Sequence, residues 1–171
     1  MILDPLPHGA PTEAKRRHYD DVLAQIHAIL DGEQDWIAAM ATVACELHHA
    51  FEAFHWTGFY RVTAPQMLTV GPYQGGHGCL RIPFDRGVCG AAAREARTQL
   101  VPDVHAFPGH IACSSSTSSE IVVPVRAADG TVLAVLDVDS DHPAAFDDVD
   151  RAALEALCDD LGGRFAPVAD P

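Results

Sequence analysis

Three of the five cysteines fall within one stretch rich in glycine, proline, histidine and serine: Cys79 in GGHGC, Cys89 in RGVCG and Cys113 in HIACSSS. Cys45 and Cys158 lie instead in apolar, periodic segments, where cysteine packs as a small hydrophobe. Thiols gathered on loops point to reactivity rather than packing. A thiol becomes a nucleophile where a positive group, a helix N-terminus or a histidine favours its thiolate. Cys89 stands where RGVCG enters a helix, so the macrodipole is expected to lower its pKa. Cys113 follows His110 by three residues and precedes a serine run whose hydroxyls and N–H groups can donate. Cys79 sits in a glycine-flanked loop able to swing. The residues alone do not rank the three, and the plain alternative is three incidental thiols.

A second set is acidic. Asp137 and Asp139 occupy alternate positions of LAVLDVDS, so on a strand both face the same way. Like charges so placed meet a cation, share a proton or face water. Glu120 opens the adjoining strand. Together the three describe either a pocket for an amino group, with one carboxyl protonated as a general acid, or a hydrated sheet edge. Trp56 and Tyr60, four apart on a strand, also share a face, and serve either as core or as the wall of a pocket for a sulfur-bearing group. His48-His49 reads as a solvated patch. Zinc competes for His77, Cys79, Cys89, His105, His110 and Cys113, but no C-x2-C or H-x3-H pair, the spacing that makes a zinc assignment specific, occurs among them. No metal or organic cofactor is expected.

The elements that must position these residues follow from periodicity. Residues 1–11 read as a disordered or loosely docked tail, and 12–165 as a single domain. Tyr19, Val22, Leu23, Ile26, Ile29 and Leu30 form one helical stripe ending at Asp31-Gly32; Trp36, Met40, Val43, Leu47 and Phe51 form another. Alternation from Trp56 and again over 67–73 predicts two strands joined by Ala64-Pro65-Gln66. The segment 75–119 is loop-rich, with short strands at 80–84 and 98–101 and a small helix over 88–95. Strands over 120–126 and 131–139 flank an Ala-Asp-Gly turn, and a last helix begins at Asp147 and fades at Gly162-Gly163. The result is an α+β sandwich: a central antiparallel sheet with helices on one face and the cysteine-bearing loops over the other.

Composition limits the partners. A net charge of −13 argues against nucleic acid and anionic membranes. The N-terminus carries prolines and an acid where a signal core would need apolar residues, so a cytoplasmic location is expected, where five reduced cysteines are unremarkable.

WTGFY, VGPYQGGHGCLRIPFDRGVCGAAARE, LVPDVHAFPGHIACSSSTSSEIVVPV and AVLDVDS closely resemble the free methionine-(R)-sulfoxide reductases, single-domain enzymes of the GAF fold, over about residues 15–163. The resemblance implies Cys113 as nucleophile, Cys79 as the principal resolving thiol and Cys89 as a second thiol assisting recycling. It also implies Glu120, Asp137 and Asp139 as the acids that hold the substrate and handle its protons, with Trp56 and Tyr60 as its aromatic wall. The implied substrate is free methionine-(R)-sulfoxide and the implied reductant is thioredoxin; a homodimer is left open. The competing class is a GAF sensor that binds a small molecule without catalysis. A sensor is expected beside an output domain, for which 171 residues leave no room. A metal-binding regulator ranks below both.

Overall fold

The protein is described by a computed structural model covering residues 3–109 and 116–165. Eleven elements follow one another: helices α1 (Thr12–Ile29) and α2 (Trp36–Ala50), strands β1 (Trp56–Ala64), β2 (Met67–Gln74) and β3 (Arg81–Pro83), helix α3 (Gly87–Glu95), strand β4 (Gln99–Val101), a 3-10 turn (Val104–Ala106), strands β5 (Ser119–Arg126) and β6 (Val132–Ser140), and helix α4 (Asp148–Phe165). The strands form one antiparallel sheet in the order β3-β2-β1-β6-β5-β4. β1 and β6 lie at its centre, and the β5–β6 hairpin turns through Ala128-Asp129-Gly130 as its residues require.

Strand alternation divides the apolar residues into two cores. Phe59, Ile121, Val123, Leu136 and Val138 face α1, α2 and α4 and pack with Tyr19, Ile26, Met40, Leu47, Leu154 and Leu161. Trp56, Tyr60, Val122 and Val135 point to the other face, where α3 contributes Cys89, Ala92 and Ala93. Two helix starts, those of α2 and α4, are capped by aspartate side chains. Asp35 Oδ1 accepts from the N–H groups of Ile37 and Ala38 at 2.8 and 2.9 Å. Asp147 and Asp150 bond reciprocally to each other's turn of α4, and Lys15 of α1 bridges both carboxylates at 2.9 and 2.7 Å.

Two expectations change. Ile29 is 48% exposed although its spacing fits the α1 stripe. The helix α4 runs through Gly162-Gly163 to Phe165. In the N-terminal segment Leu6 bridges Phe51, its N–H donates to the Ala50 carbonyl and its carbonyl accepts from Glu52 N–H. No helix among the described residues is long and apolar enough to cross a membrane.

Candidate active site

The register of β1, β6 and β5 assembles the acids and the rings. Asp139 pairs with Glu120 on one side and Trp56 on the other, so the three form one row across the sheet. One step along, Asp137 lies between Val122 and Gly58 on the same face. Neighbouring strands are about 4.8 Å apart, so the carboxyls are close by construction. Glu120 and Asp137 are buried, and Asp139 is more open.

Among the described residues, no Lys, Arg or His forms an ion pair with any of these three acids. Asp137 Oδ1 is buried without a hydrogen-bond partner. Burial therefore dominates their titration. It pushes Glu120 well above the usual carboxylate range, with the charges of Asp137 and Asp139 adding to the effect. Asp139 rises for the same reasons, with Asp141 as a further charge. Burial lifts Asp137 to about 6, held back by hydrogen bonds with Cys89 and Glu120. Burial thus favours the protonated form of all three acids, and at Glu120 both neighbouring charges add to it.

Cys89 corrects the dipole expectation. It does lie in the first turn of α3, but its side chain is buried against the acids, with Sγ 4.0 Å from Glu120 Oε1. Burial and the charges of Asp137 and Glu120 push its pKa well above that of an ordinary thiol. A helix terminus is worth about 1 kcal/mol, too little to offset desolvation beside two carboxyls. Cys89 is a protonated S–H donor to the acid cluster. Cys89, Glu120 and Asp137, with ligand atoms within 4.8 Å of one another, are also the one group of the described residues close enough to share a metal ion. His77 and His105 are not part of it.

The aromatic wall is larger than Trp56 and Tyr60. Trp56 stacks on Tyr60 (centroids 5.7 Å, planes 22° apart) and on Tyr73 of β2 (5.3 Å, 17°). Gly58 makes room for this: a Cβ there would sit 2.3 Å from Tyr73 Cβ and 2.7 Å from the Trp56 ring. Tyr73 went unnoticed in the sequence; a glycine facing an aromatic across a strand pair was the available signal. The Tyr60 phenol is held protonated by burial and by the surrounding acids.

The loop at residues 75–78 lies flat on these rings. Trp56 Nε1 donates to the Gly76 carbonyl at 3.1 Å, and a Cβ at Gly78 would approach the Tyr60 hydroxyl to 2.8 Å. Gly75 adopts φ +103°, a region closed to other residues. The glycines of GGHG thus let a backbone cover a ring stack and deliver Cys79 to its rim. Cys79 is in a disulfide, whereas Cys45, Cys89 and Cys158 are free. Cys113 and His110 lie outside the described residues.

A proton-rich acid pocket, a ring wall and a disulfide sulfur therefore meet on one sheet face. The GAF domain family model matches residues 32–163. The free methionine-R-sulfoxide reductase of Saccharomyces cerevisiae is 39% identical over 149 residues, covering 84% of this chain and 83% of the relative. The chain belongs to the free methionine-R-sulfoxide reductases of the GAF fold. The Escherichia coli member is 37% identical over 143 residues, covering 84% and 86% of the two chains. The free methionine-R-sulfoxide reductase of Neisseria meningitidis, solved in complex with its substrate, superposes with a TM-score of 0.85 at 45% identity, covering 96% of each chain. Membership makes the chain an oxidoreductase acting on sulfur.

Proposed function

We propose that this protein reduces free L-methionine-(R)-sulfoxide to L-methionine, with electrons supplied by thioredoxin. The observation that carries the reading is the buried Asp137 carboxyl, its Oδ1 without a hydrogen-bond partner, within a cluster of three acids beside the Trp56 stack. An α-ammonium satisfies such a cluster, and free methionine sulfoxide offers one beside its sulfoxide where an internal peptide residue offers an uncharged amide. The rings provide a surface for the sulfur and its methyl group.

In this reading the Cys113 thiolate attacks the sulfoxide sulfur, forming an S–S bond, while Glu120, whose protonated form burial favours, protonates the oxygen. The S–O bond breaks and that oxygen departs as water. A second water then attacks the Cys113 sulfur, breaking the S–S bond: methionine leaves, Cys113 becomes a sulfenic acid and a proton returns to the acid cluster. The Cys79 thiol condenses with it, releasing water and forming a disulfide, which a thioredoxin dithiol reduces by exchange. One substrate oxygen leaves as water for each dithiol oxidised, so atoms and electrons balance. Asp137 and Asp139 hold the ammonium, and Trp56, Tyr60 and Tyr73 wall the side chain. Cys89 stabilises the acids through its S–H and assists recycling. The Cys79 disulfide and the loop laid over the rings support this order of events.

The test compares kcat/KM on free methionine-(R)-sulfoxide, its N-acetyl amide and the (S) epimer. Blocking the amine leaves charged acids unmatched, which a buried polar site rejects by about 10⁴-fold. Comparable rates on the blocked compound would refute the free-amino-acid reading. Ligand binding without any thioredoxin-coupled turnover would leave the sensor.

A further inference from the structure

We propose that Leu80 and the outward main-chain groups of Arg81 are the docking surface for the protein dithiol that reduces the Cys79 disulfide. The proposal rests on the thioredoxin recycling above and adds where that partner seats.

Leu80 is 71% exposed, well beyond the other large apolar side chains left in solvent among the described residues, Ile29 at 48% and Ile37 at 45%. A single exposed leucine is ordinary on a protein surface. Its position is what sets it apart, for it directly follows the disulfide cysteine and leads into β3, an edge strand.

The ladder fixes which peptide groups of that edge point away from the sheet. Val70 N–H donates to the Leu80 carbonyl, Ile82 pairs with Leu68, and Phe84 N–H donates to Gln66. Residues 80, 82 and 84 therefore turn their main-chain groups towards β2. Residues 81 and 83 turn theirs away from the sheet. Residue 83 is a proline and has no N–H to offer. Arg81 is then the one β3 residue with both an N–H and a C=O directed outward. An edge this short does not invite a second copy or a fibril. It does suffice for one main-chain pair with a chain segment that comes alongside.

Thiol–disulfide exchange requires the attacking sulfur to come in along the S–S axis and stay through a mixed disulfide. Cys79 is half-buried against the ring cluster, so the attacker must be held at its rim. A protein dithiol whose reactive cysteine lies on an apolar surface would cover Leu80 and take the Arg81 pair. Dithiothreitol uses neither contact.

The experiment measures second-order rate constants for reduction of the oxidised protein by reduced thioredoxin and by dithiothreitol, followed by alkylation of the released Cys79 thiol. Methionine sulfoxide is absent, so the result does not depend on the substrate assignment. Leu80→Asp should slow thioredoxin about tenfold or more, the scale of an apolar side chain left unburied, and Leu80→Ser by less. Neither variant should change the dithiothreitol rate. Equal slowing with both reductants, or no change with thioredoxin, would overturn the proposal. Loss of turnover on methionine sulfoxide with these reduction rates intact would count against the substrate reading alone.

Discussion

Replacing Asp137 by asparagine should move stability and activity in opposite directions. The folded protein raises this carboxyl from 3.8 to about 6, and each tenfold change in proton affinity is worth about 1.4 kcal/mol. Keeping it ionised at neutral pH therefore costs the fold about 3 kcal/mol. The unfolded carboxyl ionises near pH 4 and the folded one near 6, so the cost is absent below the first, grows between them and is constant above. Asparagine removes it but weakens the hydrogen bonds with Cys89 and Glu120. The reduced, substrate-free variant should gain about 1–3 kcal/mol at pH 7.5 and nothing at pH 4, read by urea unfolding at both values. Catalysis should suffer. Truncating one partner of a buried charge pair costs about 2–5 kcal/mol, or roughly 30-fold to several thousand-fold in kcat/KM, expressed mainly in KM. A KM within twofold of wild type, or a variant less stable at pH 7.5, would show that Asp137 is neither a strained buried charge nor the ammonium partner.

Cys79→Ser should release about one methionine per protein in a single turnover without reductant and then stall; loss of the first turnover would give Cys79 a role before resolution. Cys89→Ala should raise the Asp137 pKa, because it deletes a hydrogen bond that lowers it, and shift the acid limb of kcat/KM to higher pH. Cys89→Ser keeps a donor and should leave that limb in place, whereas a purely redox role predicts the same profile for both. Lys15→Met strips the cation from Asp150, which is 1% exposed and also bonded by Tyr19. It should cost about 3–5 kcal/mol at neutral pH, shrinking in acid as Asp150 takes up a proton, with a purified variant as stable as wild type as the contrary result.

The helices α1 and α2 and the hairpin of β5 and β6 were legible because periodicity and turn chemistry are local. The shared face of Asp137 and Asp139 was legible for the same reason. Their row with Glu120 and Trp56 was not, since register across three strands depends on pairings far apart in the chain. Cys89 shows the limit most clearly. Its helix start is visible in RGVCG, but what outweighs the benefit is burial against Asp137 and Glu120, which come from strands far along the chain. Gly162 looked like a helix terminator and is a contact instead, since a Cβ there would come within 1.9 Å of the Arg126 carbonyl. Sequence shows that a glycine permits a break, but only the packed neighbour shows why it is needed.

The row of Glu120, Asp139 and Trp56 is held by the ladders of β5, β6 and β1, and none of these strands carries a cysteine. Cys79 lies at the end of a strap above the rings, not on the strands beneath it. Recognition and electron transfer are therefore separately heritable in this scaffold. A lineage that lost its cysteines would retain a sheet shaped to grip a small cation. It would cease to be a reductase and become a receptor without refolding.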